Sequence, residues 1–239
     1  MIIPDRSIKT LDELADLDIQ ILLDNNVTQP PVSTEDIYLN YAELVFGKGL
    51  GQIGIERFGV AIEYLNQFFN LLKTNSNIAM TPMISQECKC LYDVIRRKYV
   101  RLKDSKKRKN QRLELVGELS DSLKDIKTLM QKRSKKLNLP DTEELTKYLR
   151  EIHDQEADID LVSQAILSDK YSAIISNDQH IPQIMRELRT RYFNPARGQT
   201  VPPTLKERLS LYSAGVFSLE LVPSENEGYE LKTDFRGGF

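Results

Sequence analysis

Two short apolar runs in this chain each lead directly to a carboxylate. Ile19-Gln-Ile-Leu-Leu23 stops at Asp24, and Tyr171-Ser-Ala-Ile-Ile-Ser176 passes through Asn177 to Asp178. Runs of this length bounded by polar turn residues read as buried strands over 19–23 and 171–176. Helical periodicity surrounds them. Ile8, Leu11, Leu14 and Ala15 share a face over 7–17, with Ser7 or Thr10 as the cap. Thr34 caps a second helix over 34–46. A third spans 55–73, with Phe58, Ile62, Leu65, Phe69 and Leu72 on one side. A short strand at 78–81 precedes Pro82, which opens a helix carrying Ile84, Glu87, Cys88 and Leu91. Further helices are expected from Pro140, over 158–167 and over 181–191, with a late alternating strand at 216–222. Strands alternating with helices predict an α/β fold with a mainly parallel sheet.

The stretch 95–137 breaks this rhythm. Residues 96–112 hold ten basic side chains against one acidic one, and Val116, Leu119, Leu123, Ile126 and Met130 then form a coiled-coil-like seam. We read it as a basic helical hairpin inserted into a discontinuous core, 1–94 and 138–222, with Val94, Ile95 and Leu102 covering the seam. On this reading it projects as a self-packed arm. The segment 223–239 is polar and glycine-rich, and reads as a loose tail. Gly47-Lys-Gly-Leu-Gly-Gln-Ile-Gly54 fits neither phosphate-loop nor dinucleotide spacing and reads as a connection.

Composition narrows the class. A hydrophobic content of 40% over 239 residues is enough for a sizeable core. The net charge of −2 gives no global signal for nucleic acid, so the local basic run matters more. Cys88 and Cys90 are too few for a zinc site and badly placed for a mutual disulfide, which suits a reducing, cytoplasmic setting. No stretch approaches the length of a membrane span, and the first residues have no leader-like pattern.

The chemistry lies in the acids. In an open α/β sheet, strand C-termini and helix N-termini meet at one edge. Asp24 and Asp178 follow strands, while Glu87, Asp158 and Asp160 stand near helix starts, so all five can converge. Several carboxylates in one cavity repel unless a divalent cation is shared, and hard oxygen donors favour Mg²⁺ or Mn²⁺. His153 reads as a surface residue; His180 lies closer to the acids, as a contact to phosphate or metal.

Read in order, the motifs are Asp24-Asn-Asn-Val27 after a strand, Pro82-Met-Ile-Ser-Gln-Glu87, Asp158-Ile-Asp-Leu-Val-Ser-Gln-Ala165 and Ile174-Ile-Ser-Asn-Asp178. Together they resemble the PIN domain, a family of metal-dependent nucleases, over about 18–94 and 140–190 plus a final strand. The resemblance implies a three-layer α/β/α fold and hydrolysis of phosphodiesters, most often in RNA, at one or two divalent ions. It assigns Asp24, Glu87, Asp158 and Asp178 as catalytic metal ligands, with Asp160 completing an Asp-x-Asp form. Asn25, Ser176, Asn177 and His180 would support them. His180 stands where many members carry another acid, and Ser176 where they carry threonine.

The basic run supplies Arg96, Arg97, Arg101, Lys106, Lys107, Arg108 and Lys109 as candidate contacts to unpaired RNA, with an acidic protein as the rival partner. Three functions are compatible with the sequence. They are an endoribonuclease, a catalytically silent PIN-like module binding RNA or a protein complex, and a structure-specific DNA nuclease.

Overall fold

The structure is a computed structural model and describes residues 10–29, 52–104, 111–134, 142–168, 170–193, 214–225 and 229–238. Five strands form one mixed sheet: β1 (Gln20–Leu23), β2 (Ile78–Ala79), β3 (Ser172–Ile175), β4 (Ala214–Pro223) and β5 (Tyr229–Gly238), in the order β2-β1-β3-β4-β5. The first four are parallel and β5 runs antiparallel to β4. Seven α-helices are described: α1 (Leu11–Ala15), α2 (Gln52–Thr74), α3 (Pro82–Asp104), α4 (Gln111–Arg133), α5 (Thr142–Arg150), α6 (Glu156–Leu167) and α7 (His180–Phe193). A 3₁₀ turn, Asn25–Thr28, follows β1 directly. Among the described residues, no helix is long and apolar enough to cross a membrane.

The expected parallel pairing of the two acid-terminated strands is present. β1 and β3 are neighbours, with Leu23 opposite Ile175. Consecutive residues Ile21, Leu22 and Leu23, and likewise Ala173, Ile174 and Ile175, are all buried. Both faces of these strands are therefore covered, which is why they read as continuous apolar runs. The ladder continues one residue further, since the Asp24 N–H donates to the Ile175 carbonyl at 3.0 Å. The carboxylate is thus carried on hydrogen-bonded backbone.

Local signals explain the helix starts. Thr10 and Glu13 form a reciprocal capping box at α1. Pro82 occupies the first position of α3, and the Thr81 hydroxyl accepts from the Ile84 N–H. Gln52, Ile53 and Gly54, read in sequence as part of a connection, already belong to α2. The helix expected at 34–46 lies outside the described residues.

Two expectations are corrected. The segment 223–239, expected as a loose tail, is ordered over Tyr229–Gly238, which forms β5 and pairs with Gly215–Pro223 of β4. Leu231 and Thr233 turn inward while Glu230, Lys232 and Asp234 face out, and Lys232 also bridges to Thr10. Nor does the basic segment stand out as a self-packed arm. Val116, Leu119, Leu123, Ile126 and Met130 are fully buried, as the seam requires, but they join the main core. α4 packs on α2 as well as on α3. Ser122 donates to Asn66 of α2, and Arg133 donates to the Leu72 and Asn75 carbonyls at the end of that helix. α3 and α4 approach closely at Gly117, where a Cβ would stand 3.0 Å from the Tyr99 ring. Cys88 and Cys90 are both free, Cys88 within the core.

Because the seam belongs to the core, Leu123→Ala should lower global stability by about 2–5 kcal/mol, the range for a large buried truncation. Urea unfolding followed by circular dichroism should show a single shifted transition. A separate early transition of α3 and α4 with the sheet unaffected would restore the detached arm.

Candidate metal centre at the carboxyl edge of the sheet

Asp24 sits where β1 ends and is buried. Its Oδ1 accepts from the Asn25 N–H at 2.6 Å, and its Oδ2 accepts from Asn26 Nδ2 and from Ser176 Oγ, both at 2.7 Å. The Asn26 amide is the clamp between the two strand ends. Its Nδ2 also donates to Ser176 Oγ at 3.1 Å, while its Oδ1 accepts from the Asn177 N–H at 3.0 Å. The turn beneath is fixed from the other side. The phenol of fully buried Tyr64 donates to the Val27 carbonyl at 2.6 Å.

The β3 end is equally tied. Ser176 Oγ accepts from the Asp178 N–H, and Asn177 Oδ1 accepts from Leu219 N–H of β4 at 3.1 Å. Asp178 Oδ1 accepts from the His180 N–H at 2.8 Å, so it helps to start α7 while facing the site. Asp158 lies in the first turn of α6, nearly buried. Its Oδ2 is 2.9 Å from His153 Nε2 and 3.9 Å from His180 Nδ1. Glu87 stands one turn into α3, at the solvent-facing rim.

The electrostatics show that four acids share a field. Burial raises the Asp24 carboxyl to about 7; Ser176 opposes the rise, and the Asp158 and Asp178 charges add to it. Burial also raises Asp158, where the His153 hydrogen bond works against it and Asp178 reinforces it. Glu87 is raised by partial burial and by Asp158. Asp24, Glu87, Asp158 and Asp178, from four segments of chain, thus stand near enough at the carboxyl edge of the sheet to act on one another electrostatically. Closely placed carboxylate oxygens of this kind suit a divalent cation. The buried Nδ1 of His180, which has no hydrogen-bond partner, fits the same need.

Asp160 does not join them. Residues two apart on a helix face different ways, and its Oδ1 accepts from Gln164 Nε2 at 3.0 Å on its own helix. Asn25 contributes its backbone N–H, whereas its side-chain oxygen is buried without a partner. The side chain with that supporting role is Asn26, which sequence reasoning passed over although Asp-Asn-Asn offered two amides. His153 was also missed. It is no surface residue: its side chain is 16% exposed and bonded to Asp158. It sits in the link between α5 and α6, where its N–H donates to the Leu149 carbonyl and the Arg150–Glu156 ion pair joins the two helix ends. No spacing rule marks a histidine in such a link.

Arg96, Arg97 and Arg101 are exposed on α3. Arg101 lies nearly on the Glu87 face of that helix, about 21 Å further along its axis, and Arg96 lies about half a turn round from it. Lys106, Lys107, Arg108 and Lys109 lie outside the described residues.

The Asp24 shift has a measurable consequence. Its folded-state value lies above the unfolded 3.8. Between these values the folded chain holds a proton that the unfolded chain has released, so metal-free stability falls as pH rises, by up to about 1.4 kcal/mol per pH unit. Asp24→Asn should flatten that slope. Urea midpoints with chelator at about pH 4.5 and 7.5 test it, and equal slopes in both proteins would contradict the buried, cation-free carboxylate. Comparison of the chain with protein-family models, with characterised proteins and with solved structures returns no match.

Proposed function

We propose that this chain is a PIN-like, divalent-cation-dependent endoribonuclease. The observation that carries the reading is the placement of Asp24 and Asp178 at the paired ends of β1 and β3, with Asp158 close enough to act on Asp24 and on Glu87. The α/β architecture with parallel β1–β3 pairing supports it, as does the agreement of all four acids with the motif order that resembles the PIN domain. Asp24, Glu87, Asp158 and Asp178 would hold Mg²⁺ or Mn²⁺, which supplies charge neutralisation at the phosphate and activation of water.

The chain's own groups do the rest. Asn26 and Ser176 fix the Asp24 carboxylate so that its direction does not depend on the ion. His153 fixes Asp158, and Asp178 is held by the start of α7. His180, half exposed beside Asp158 and Asp178, can contact phosphate or metal at the rim. On α3, Arg101 can meet the phosphate backbone of a strand leaving past Glu87; such contacts add affinity without sequence readout.

The turning away of Asp160 favours one second reading. With four acids instead of five, the same fold can serve as a silent RNA-binding or complex-binding module. Cleavage assays separate the two. Purified protein should cut unpaired RNA with Mn²⁺ or Mg²⁺ and stop with EDTA. Asp24→Asn and Asp178→Asn should each lower the rate by about 10²-fold or more, the scale for losing a group that stabilises transition-state charge. Asp160→Asn should change it little. Bound but uncut RNA would select the silent module, and cutting confined to DNA would move the substrate class.

Arg101→Ala should raise KM and make binding less salt-sensitive while leaving kcat intact. Arg96→Ala, on the opposite face, should do neither. Equal effects of the two substitutions would remove α3 from the substrate path.

A further inference from the structure

The chain contains two histidines, and both are at this edge. His153 comes from the link between α5 and α6, and His180 from the first turn of α7. Their rings are 5.4 Å apart. One donor atom from each of His153, Asp158 and His180 lies within 4.8 Å of the other two. Asp158 Oδ2 is 2.9 Å from His153 Nε2 and 3.9 Å from His180 Nδ1. Tetrahedral donors at about 2.0–2.1 Å from Zn²⁺ stand roughly 3.3 Å apart, so small side-chain rotations would bring the set onto an ion. Two further facts point the same way. His180 Nδ1 is buried and has no hydrogen-bond partner, although its ring edge is exposed. The Asp178 carboxylate, 3.5 Å from that nitrogen, is already held by backbone and needs no proton from it.

Donor type decides which ion fits. Mg²⁺ and Ca²⁺ prefer oxygen throughout, whereas imidazole nitrogen suits Zn²⁺ and its transition-metal neighbours. Three protein ligands with a fourth position open to solvent is the pattern of a working zinc site, not of a closed structural one. We propose that His153, Asp158 and His180 form a nitrogen-rich subsite for a divalent transition ion of the Zn²⁺ class, adjoining the all-oxygen position at Asp24 and Glu87. The inference extends the nuclease reading, since Asp158 belongs to both groups. The edge then offers two unlike positions, one hard and one borderline, joined through a single carboxylate.

Imidazole nitrogen resonances test this directly, because the whole chain gives only two histidine spin systems. His153→Gln and His180→Gln assign them by deletion, and circular dichroism checks that each variant folds. Stoichiometric Zn²⁺ added to chelator-treated, ¹⁵N-labelled full-length protein should give both His153 Nε2 and His180 Nδ1 the large shift of a metal-bound imidazole nitrogen, while excess Mg²⁺, bound by oxygen, should give neither that shift. Each Gln variant should weaken Zn²⁺ binding by about tenfold or more. Asp24→Asn, which removes no nitrogen ligand, should keep both shifts. If Zn²⁺ leaves the imidazoles unmoved while Mg²⁺-dependent cleavage persists, the subsite is overturned and the nuclease reading stands. If the imidazoles shift but no metal supports cleavage, the subsite stands and the nuclease reading falls.

Discussion

The parallel register of β1 against β3 is the constraint on which the site depends. Leu23 opposite Ile175 sets Asp24 and Ser176 side by side, and the Asp24 N–H completes the ladder at the Ile175 carbonyl. A slip by one residue would turn every inward side chain to the other face. Both faces of both strands are packed here, so a slip would forfeit the side-chain fit on each and part Asp24 from Ser176. Register thus fixes where the first carboxylate stands, and the Asn26 amide then locks the two strand ends with bonds at 2.7, 3.1 and 3.0 Å. The sheet core and the polar network above it specify the same arrangement.

Burial and charge pull against each other above that network. Each carboxylate is placed by sound local structure: a ladder for Asp24, a helix turn for Asp158, a helix start for Asp178. Together they make a neighbourhood that disfavours ionisation, with Asp24 raised to about 7. Folding supplies the energy to hold them there, since unfavourable electrostatics at functional sites are offset by packing elsewhere. The fully buried Tyr64, Phe58 and Phe68 on α2 are part of that support. The Tyr64 phenol reaches the turn that carries Asn26.

What the sequence revealed follows from how each element is buried. β1 and β3 were readable because strands covered on both faces leave unbroken apolar runs, and the acids that end them mark the site edge. β5 was not, although Tyr229-Glu-Leu-Lys-Thr-Asp-Phe does alternate; its outward charges and closing glycines outweighed the inward Leu231 and Thr233. The α4 seam was legible as a pattern, but a 3-4 repeat does not say which helix covers it, and α2 shares that role with α3. Asp160 looked equivalent to Asp158 in an Asp-x-Asp string; helical geometry separates them. His153 carried no signal, because its position depends on how a short link folds back onto its neighbours.

The bridge between Thr10 and Lys232 has a consequence for folding. In chain order β1 precedes its partner β3 by some 150 residues, and β5 comes later still. Contacts this distant in sequence must wait for the intervening chain and make folding slow. Until then the acid that ends β1 has neither Ser176 to hold it nor Asp178 beside it. The acidic edge is thus a late product of folding, assembled only when β3 has joined β1.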